Sequence, residues 1–197
     1  MKSNCFIWFA VVLGAMVFVG CVNRPAPSPN EMILGKWENK EYHVFDEEDI
    51  AEGSIFTEAM VTGVIKYEFL ANHTEKRRGT VICEYHVVKE DYDKWLSLTI
   101  VFEYEGTWKI EEDKLIQKGK KSNYRFSHHG MEDYDPERDD HYIEMFKSNF
   151  ESIYQEAEED DLKEHSFRIS SLSETELLLQ KKNGDIMMLD RITDKSR

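Results

Sequence analysis

The sequence predicts a mainly β fold, an eight-stranded up-and-down antiparallel barrel with one amphipathic helix inserted between strands five and six. The strongest observation is the alternation between residues 95 and 110, where the even positions from Leu96 to Ile110 are mostly apolar and neighbours such as Glu103 are polar. Alternation of this length is typical of a strand with one buried face. Two other observations support this fold. Turn signals separate successive apolar runs, and one segment has apolar residues at helical spacing. A closed barrel suits this order because it leaves no exposed strand edge.

The other strands follow the same pattern, each separated from the next by a turn. Turns are predicted at Asn72-His73, Glu112-Asp113 and Asn183-Gly184, and Asn-Gly is the strongest short hairpin signal. Gly79 and Gly106 lie inside strands, where glycine usually marks a bulge or a bend. In chain order we expect strands over residues 33–45 and 64–70, a long third strand after the turn at Asn72-His73, a fourth over 95–110, a fifth ending near Tyr124 and Phe126, and then 166–172, 177–182 and 185–192.

The segment after the fifth strand predicts a helix that begins at Asp135-Pro136-Glu137, with aspartate as the cap, proline at the first position and acid in the first turn. The helix ends in the acidic run 158–161, which opposes the helix dipole, so we expect this end to fray. We interpret this run and the acidic run 46–49 as solvated. The residues of the apolar stripe, at spacings of three and four, are Ile143, Phe146, Phe150, Ile153 and Ala157.

The beginning of the chain has the form of a secretory signal, because Lys2 is followed by the apolar run 5–20. That run falls short of the roughly 20 apolar residues of a membrane-spanning helix. Its ending, Val17-Phe18-Val19-Gly20-Cys21, resembles the lipobox of bacterial lipoproteins, with Phe18 where that motif usually has Leu. The resemblance implies cleavage before Cys21 and attachment of lipid such as palmitate to that cysteine. Three prolines between residues 22 and 30 predict an extended linker.

These observations predict three segments: a signal peptide at 1–20, the lipidated cysteine and linker at 21–32, and one domain at 33–197. We expect the protein to be held by its lipid at the bacterial cell envelope, at the outer membrane. The chain has 25 Lys+Arg against 39 Asp+Glu and a net charge of −14, so nucleic acid is a poor partner. The same charge would be repelled by anionic headgroups, which leaves membrane attachment to the acyl chains. Cys83 would be a small buried hydrophobe rather than a reactive thiol.

Residues near both ends of the predicted domain resemble lipocalins. Gly35 and Trp37 match the G-x-W of the first lipocalin strand, and Arg191 matches the arginine of the closing strand. The stretches 105–110 and 171–177 are similar to parts of small lipocalin-like lipoproteins of bacteria. The resemblance spans about residues 33–192 and implies that Arg191 packs over Trp37 and closes the barrel. The helix before strand six differs from the usual lipocalin, whose main helix follows strand eight.

Two groups of residues are candidates for binding. Carboxylates in residues 133–144 echo the spacing of a calcium loop, but Arg138 stands where such a loop needs glycine, so a solvated loop is the preferred interpretation. A zinc or copper site is the second candidate, formed by His128, His129, His141 and Glu144. The predicted interior is rich in aromatic side chains, which either fill the barrel or line a ligand pocket. The aromatic candidates for ligand binding are Tyr67, Phe69, Tyr85, Phe102, Tyr104 and Tyr124.

The sequence contains no nucleophile elbow, phosphate-binding glycine loop or paired-cysteine metal motif. We therefore predict a protein without enzyme activity or cofactor. The leading hypothesis is a lipid-anchored, lipocalin-like protein that binds a small apolar or amphipathic ligand. The alternative is a protein-interaction module with a filled barrel, acting through its loops or its inserted helix on a partner that the sequence does not identify.

Overall fold

The computed structural model describes residues 26–45, 56–89 and 92–193, and within them the chain is mainly β. The predicted signal peptide, Cys21 and the acidic run 46–49 lie outside the described residues. The elements in chain order are α1 (Pro29–Met32), β1 (Gly35–Phe45), β2 (Phe56–Phe69), β3 (Thr74–Lys89), β4 (Tyr92–Glu111), β5 (Lys114–Met131), α2 (Pro136–Asp161), β6 (Glu164–Leu172), β7 (Glu176–Gln180) and β8 (Ile186–Arg191).

The eight strands form one antiparallel sheet that closes into a ring. Each strand pairs with the next in sequence, and β1 pairs with β8 through Trp37 opposite Arg191 and Glu38 opposite Asp190. This confirms the predicted strand order and the position of the helix between β5 and β6. Two strands extend well beyond their predicted bounds. β2 begins at Phe56 rather than Val64, and β5 continues to Met131. The sequence did not indicate the earlier start of β2, because Glu58 and Gly63 interrupt the apolar pattern there.

The ring is regular at one end only. β5 pairs with β6 solely over Lys114–Lys118, and β7 has 5 residues against 20 in β4. The far halves of β2 to β5 therefore extend beyond the short strands and need another element to cover their inner face. Helix α2 supplies it, and the apolar core is consequently divided into two clusters.

The first cluster fills the regular end of the ring. Trp37 from β1 and Trp108 from β4 are buried there, and the Phe69 and Trp108 rings meet edge to face at 5.8 Å. Alternation along the strands explains most of the cluster, since every member except Ile33, which lies just before β1, occupies an inward position of its own strand. Its other buried members are Ile33, Tyr67, Leu115, Leu177, Leu179 and Leu189.

The second cluster lies under helix α2. Ile143 and Phe146 of the predicted stripe are buried against Val87, Leu96 and Leu98 of the sheet. The helix begins as predicted, with the Asp135 side chain accepting a hydrogen bond from the Glu137 N–H and proline at the first position. The described residues include no helix with the length and apolar character that a membrane span requires.

Gly79 and Gly106, the glycines expected to mark irregular strands, have different roles. A register shift between β4 and β5 falls between Glu105 and Gly106, and its extra residue is Lys120 of β5, so the irregularity lies opposite Gly106 rather than in its own strand. Gly79 shows no register shift with either neighbouring strand, so no bulge lies there. A Cβ atom on Gly79 would collide with the Phe102 ring, so glycine is needed at this position for side-chain packing.

Candidate functional site

A group of polar side chains lies inside the ring between the two apolar clusters. The Glu75 residue is 0% exposed and Gln117 is 1% exposed. Glu75 Oε1 accepts a hydrogen bond of 2.5 Å from Arg77 Nε and one of 2.8 Å from Gln117 Nε2. We call Glu75, Arg77, Gln117 and Asp161 the polar layer.

The charges in the polar layer modify one another. Burial raises the pKa of Glu75, and this effect outweighs the opposing influence of the Arg77 guanidinium and of Gln117. Burial would lower the pKa of Arg77, but the Glu75 carboxylate reverses the direction and the net pKa is raised. The Arg77 guanidinium also lies over the Tyr104 ring, 4.1 Å from its centroid, and 5.4 Å from that of Tyr67. Arg77 is therefore held as a cation in a fixed position.

The C-terminal end of α2 closes on this layer. Asp161 Oδ2 accepts hydrogen bonds from Ser122 Oγ at 2.6 Å and from Tyr124 Oη at 2.9 Å. Glu158 Oε1 accepts one of 2.7 Å from the Tyr124 N–H. The acidic end is therefore only partly solvated: Glu159 and Asp160 are exposed as expected, but the helix continues to Asp161 because these donors on β5 offset the unfavourable interaction with the helix dipole. Gly119 permits the approach, since a Cβ atom there would collide with the Asp161 carbonyl.

A pocket of about 750 Å³ opens beside the polar layer. Arg77, Gln117 and Tyr124 form its polar inner side, whereas Tyr67, Phe167 and Met187 give it apolar surface. The pocket reaches the protein surface between the end of α2 and the β7–β8 turn, where its lining is charged. These outer lining residues are Asp160, Asp161, Glu164, His165, Lys181 and Lys182. The pocket can therefore hold a small molecule that has both an apolar and a polar part.

The structure divides the six aromatic candidates. Tyr67 and Tyr124 line the pocket, but Phe69, Phe102 and Tyr104 are buried in packing contacts. Phe102 stacks on Tyr124 at 5.2 Å, and Tyr85 packs against Phe146 of α2 at 4.8 Å. Most of the predicted aromatic lining therefore stabilises the fold, and a polar inner side replaces the apolar wall that the sequence predicts.

The predicted contact between Trp37 and Arg191 is present. Arg191 Cζ lies 4.1 Å from the centre of the Trp37 ring, and Arg191 Nη1 donates a 2.7 Å hydrogen bond to the Leu34 carbonyl. Nη2 donates to the Met32 carbonyl. Gly35 has φ 117°, and a Cβ atom there would lie 3.0 Å from Arg191 Nη1. Glycine thus serves both the backbone conformation and the close approach of the arginine.

The residues suggested for metal binding do not form a site in the part of the chain that the structure describes. The side chains of His128 and His129 are outside that part, while His141 and Glu144 are exposed on α2. Glu144 forms an ion pair of 2.8 Å with Lys147. Within the described ranges, no three His, Cys, Asp or Glu side chains are grouped so that they could hold a metal ion.

Acidic residues at the start of α2 fasten this helix to β4. Asp139 is 0% exposed and accepts hydrogen bonds from Tyr92 Oη at 2.9 Å and Lys94 Nζ at 2.9 Å. The Asp135 N–H donates to the same carboxylate at 2.6 Å. The Cys83 thiol is buried and its pKa is raised by that burial, as expected of a packing residue.

Sequence reasoning missed every member of the polar layer. The sequence did indicate two of them. Glu75 and Arg77 are separated from the inward residues Cys83 and Val87 of β3 by even numbers of positions, so all four lie on the same face of the strand. Extending that alternation toward the start of the strand would have placed both inside. Gln117 and Asp161 carry no comparable local signal. Compared with models of known protein families the chain gives no match, and no curated protein matches its sequence.

Proposed function

We propose that this chain is a lipid-anchored, lipocalin-like protein of the bacterial envelope that binds a small amphipathic molecule inside its ring of strands. The observation that carries the proposal is the pocket of about 750 Å³. Small-molecule sites usually have volumes of about 300–1,000 Å³, with an apolar lining and a few placed polar groups. The pocket is open to solvent on one side and reaches Arg77, Gln117 and Tyr67 on the inner face of the ring.

The lipocalin part of the proposal is supported by topology and by the closing contact. Sequential antiparallel strands return to pair with β1, and Arg191 covers Trp37 at the junction. The helix between β5 and β6 gives this chain its own pocket entrance, because the acidic end of α2 lines the opening. The proposal of a lipid anchor is based on the sequence around Cys21, which resembles a lipobox.

The binding proposal is tested with the neutral fluorescent probe N-phenyl-1-naphthylamine and two tryptophan substitutions on one strand. Met187 lines the pocket, whereas Met188 is 51% exposed on the outer face. Met187→Trp should fill the pocket and weaken probe binding about tenfold or more, because the probe must displace the indole. Met188→Trp should leave probe affinity within about twofold.

Two results would count against the proposal. One is a wild-type protein that binds no probe, and the other is equal binding by the two tryptophan variants. Thermal unfolding of each variant shows whether a lost signal reflects a filled pocket or a lost fold.

A second candidate function is an interaction module that uses its outer surface. Several large apolar side chains are exposed on the outer face of β2 to β4, where water would otherwise favour polar residues. Absence of probe binding by the wild type would favour this candidate over the first. The exposed residues are Val64, Ile82, Val88 and Trp95.

A further inference from the structure

Arg77 has hydrogen-bond donors that the protein does not use. A guanidinium carries N–H groups on Nε and on both Nη atoms. Nε donates to Glu75, but neither Nη atom has a hydrogen-bond acceptor among residues 26–45, 56–89 and 92–193. The Asp161 carboxylate is 3.9 Å from Nη1, which exceeds hydrogen-bond distance. These Nη groups belong to a side chain that is only 14% exposed and that lines the pocket.

The guanidinium is also fixed in orientation before any ligand arrives. The Glu75 bond holds one edge, and the Tyr104 ring supports one face. Its remaining edge is a planar pair of donors of the kind that binds both oxygens of a carboxylate or phosphate. Since the side chain loses little further freedom on binding, more of the interaction energy appears as affinity.

Other charges of the pocket are distributed in a way that admits an anion. The carboxylate of Asp161 is already bonded by Ser122 and Tyr124. The outer part of the pocket carries Asp160 and Glu164 as well as Lys181 and Lys182, and the two lysines have no ion-pair partner within the described part of the chain. An entering anion could therefore pair with these ammonium groups and then with the donors of Arg77 further in.

Given the proposed binding function, on which this step rests, we propose that Arg77 determines specificity by binding an oxyanion on the head of the amphipathic ligand. The apolar part of the ligand lies against Tyr67, Phe167 and Met187. The Asp161 carboxylate repels the anion, so Arg77 increases and Asp161 decreases the affinity for an anionic head group.

The test uses the full chain in nanodiscs of phosphatidylcholine, with empty nanodiscs as the blank and calorimetry as the measurement. The probes share one apolar group and differ in the head: 4-phenylbutyrate, 4-phenylbutyl phosphate, 4-phenylbutanol and 4-phenylbutylamine. We expect at least one anionic probe to bind about 10- to 100-fold more tightly than the alcohol, the range for hydrogen bonds to a charged group. The tighter of the two anions identifies the head group.

Variants separate specificity from stability. Arg77→Lys keeps a positive charge beside Glu75 but removes the planar fork, so it should abolish most of the preference for the anion over the alcohol. Asp161→Asn removes a negative charge beside the anion, so it should increase the ratio of anion affinity to alcohol affinity. Arg78→Lys, the same substitution one position along on the outer face, should change neither affinity. If Arg77→Lys does not fold, the wild-type probe series and Asp161→Asn still decide.

The outcomes distinguish this inference from the proposed function. Equal affinity for the alcohol and both anions, or tightest binding of the amine, would overturn the role of Arg77 while leaving a ligand pocket. Failure of all four probes and of N-phenyl-1-naphthylamine would overturn the pocket itself.

Discussion

At the scale of single residues, the junction between the first and last strands depends on Trp37 and Arg191. The two strands share just the pairings Trp37–Arg191 and Glu38–Asp190, so the backbone ladder at the junction is short. The indole is fully buried and donates from Nε1 to the Ile33 carbonyl at 2.8 Å. Arg191 adds a cation–π contact and hydrogen bonds to the carbonyls of Leu34 and Met32. Side chains therefore supply much of what connects the ring's ends.

Trp37→Ala should lower the free energy of unfolding by about 3–5 kcal/mol, the usual cost of truncating a buried aromatic. Arg191→Ala should cost less, because the arginine is partly exposed. A double-mutant cycle measured by urea unfolding should give a coupling of about 0.5 kcal/mol or more between residues in contact. Strictly additive effects would contradict an energetic role for the contact. Lys36→Ala, exposed on the same strand, serves as the control and should stay within about 0.5 kcal/mol.

At the scale of elements, the two ends of helix α2 are held by different interactions. Its first half packs Ile143 and Phe146 into an apolar cluster and is fastened by Asp139 to Tyr92 and Lys94 of β4. Its last turn contacts β5 through hydrogen bonds to Glu158 and Asp161. Apolar packing therefore holds the first half of α2, whereas hydrogen bonds beside the pocket hold its last turn.

Asp139→Asn should reduce stability by about 1.5–3 kcal/mol at pH 7, since charge-assisted hydrogen bonds are lost. Burial would raise the pKa of Asp139, but the hydrogen bonds from the Asp135 N–H, Lys94 and Tyr92 outweigh it, and the net pKa is lowered. A carboxyl with a lowered folded-state pKa stabilises the fold above its unfolded pKa of about 3.9. That contribution is lost as the pH falls through the folded-state value.

The stability difference between wild type and Asp139→Asn should therefore be nearly constant above about pH 5 and shrink below about pH 4. Urea unfolding at a series of pH values measures it. Asp140→Asn, one position along and exposed, is the matched control and should show a much smaller difference. A difference in the free energy of unfolding that increases toward low pH would contradict the assigned role of the Asp139 carboxylate.

At the scale of the whole molecule, a closed end and an extended, helix-covered end are joined by the polar layer. The closed end is the regular end of the ring and contains the first apolar cluster, with Trp37 and Trp108. The chain enters this end from α1, which directly precedes β1. The pocket opens between the end of α2 and the β7–β8 turn. The proposed anchor precedes α1, so the domain would be attached to the membrane through the chain that leads into its closed end.

Cys21→Ser should release the protein from the membrane fraction, because each buried CH₂ of an acyl chain contributes about 0.8 kcal/mol to membrane binding. Fractionation followed by a high-salt wash measures the release. Cys5→Ser changes a cysteine inside the proposed signal peptide and should leave the protein with membranes. A Cys21→Ser protein that still sediments with membranes after the wash would contradict the lipoprotein hypothesis.

Local chemistry made much of the fold predictable. Alternation in β4, the cap at Asp135 and the Asn183-Gly184 turn act over a few residues, and each appears where the pattern places it. Strand ends were less predictable: β2 begins before Val64 because pairing with β3 extends through residues whose own pattern is weak. Pairing with neighbours, rather than intrinsic preference, determined those limits.

The sequence by itself determined the strand order, the helix position and the acidic character of the chain, because these follow from periodicity, turn chemistry and composition. The Trp37–Arg191 contact was predicted from the resemblance of Gly35, Trp37 and Arg191 to lipocalins. Tertiary structure alone decided the pocket. Glu75 and Arg77 from β3, Gln117 from β5 and Asp161 from α2 are distant in sequence, and cross-strand register and the packing of α2 bring them together. The same packing brought Glu158 and Asp161 of the acidic run against β5, where Asp161 lines the pocket.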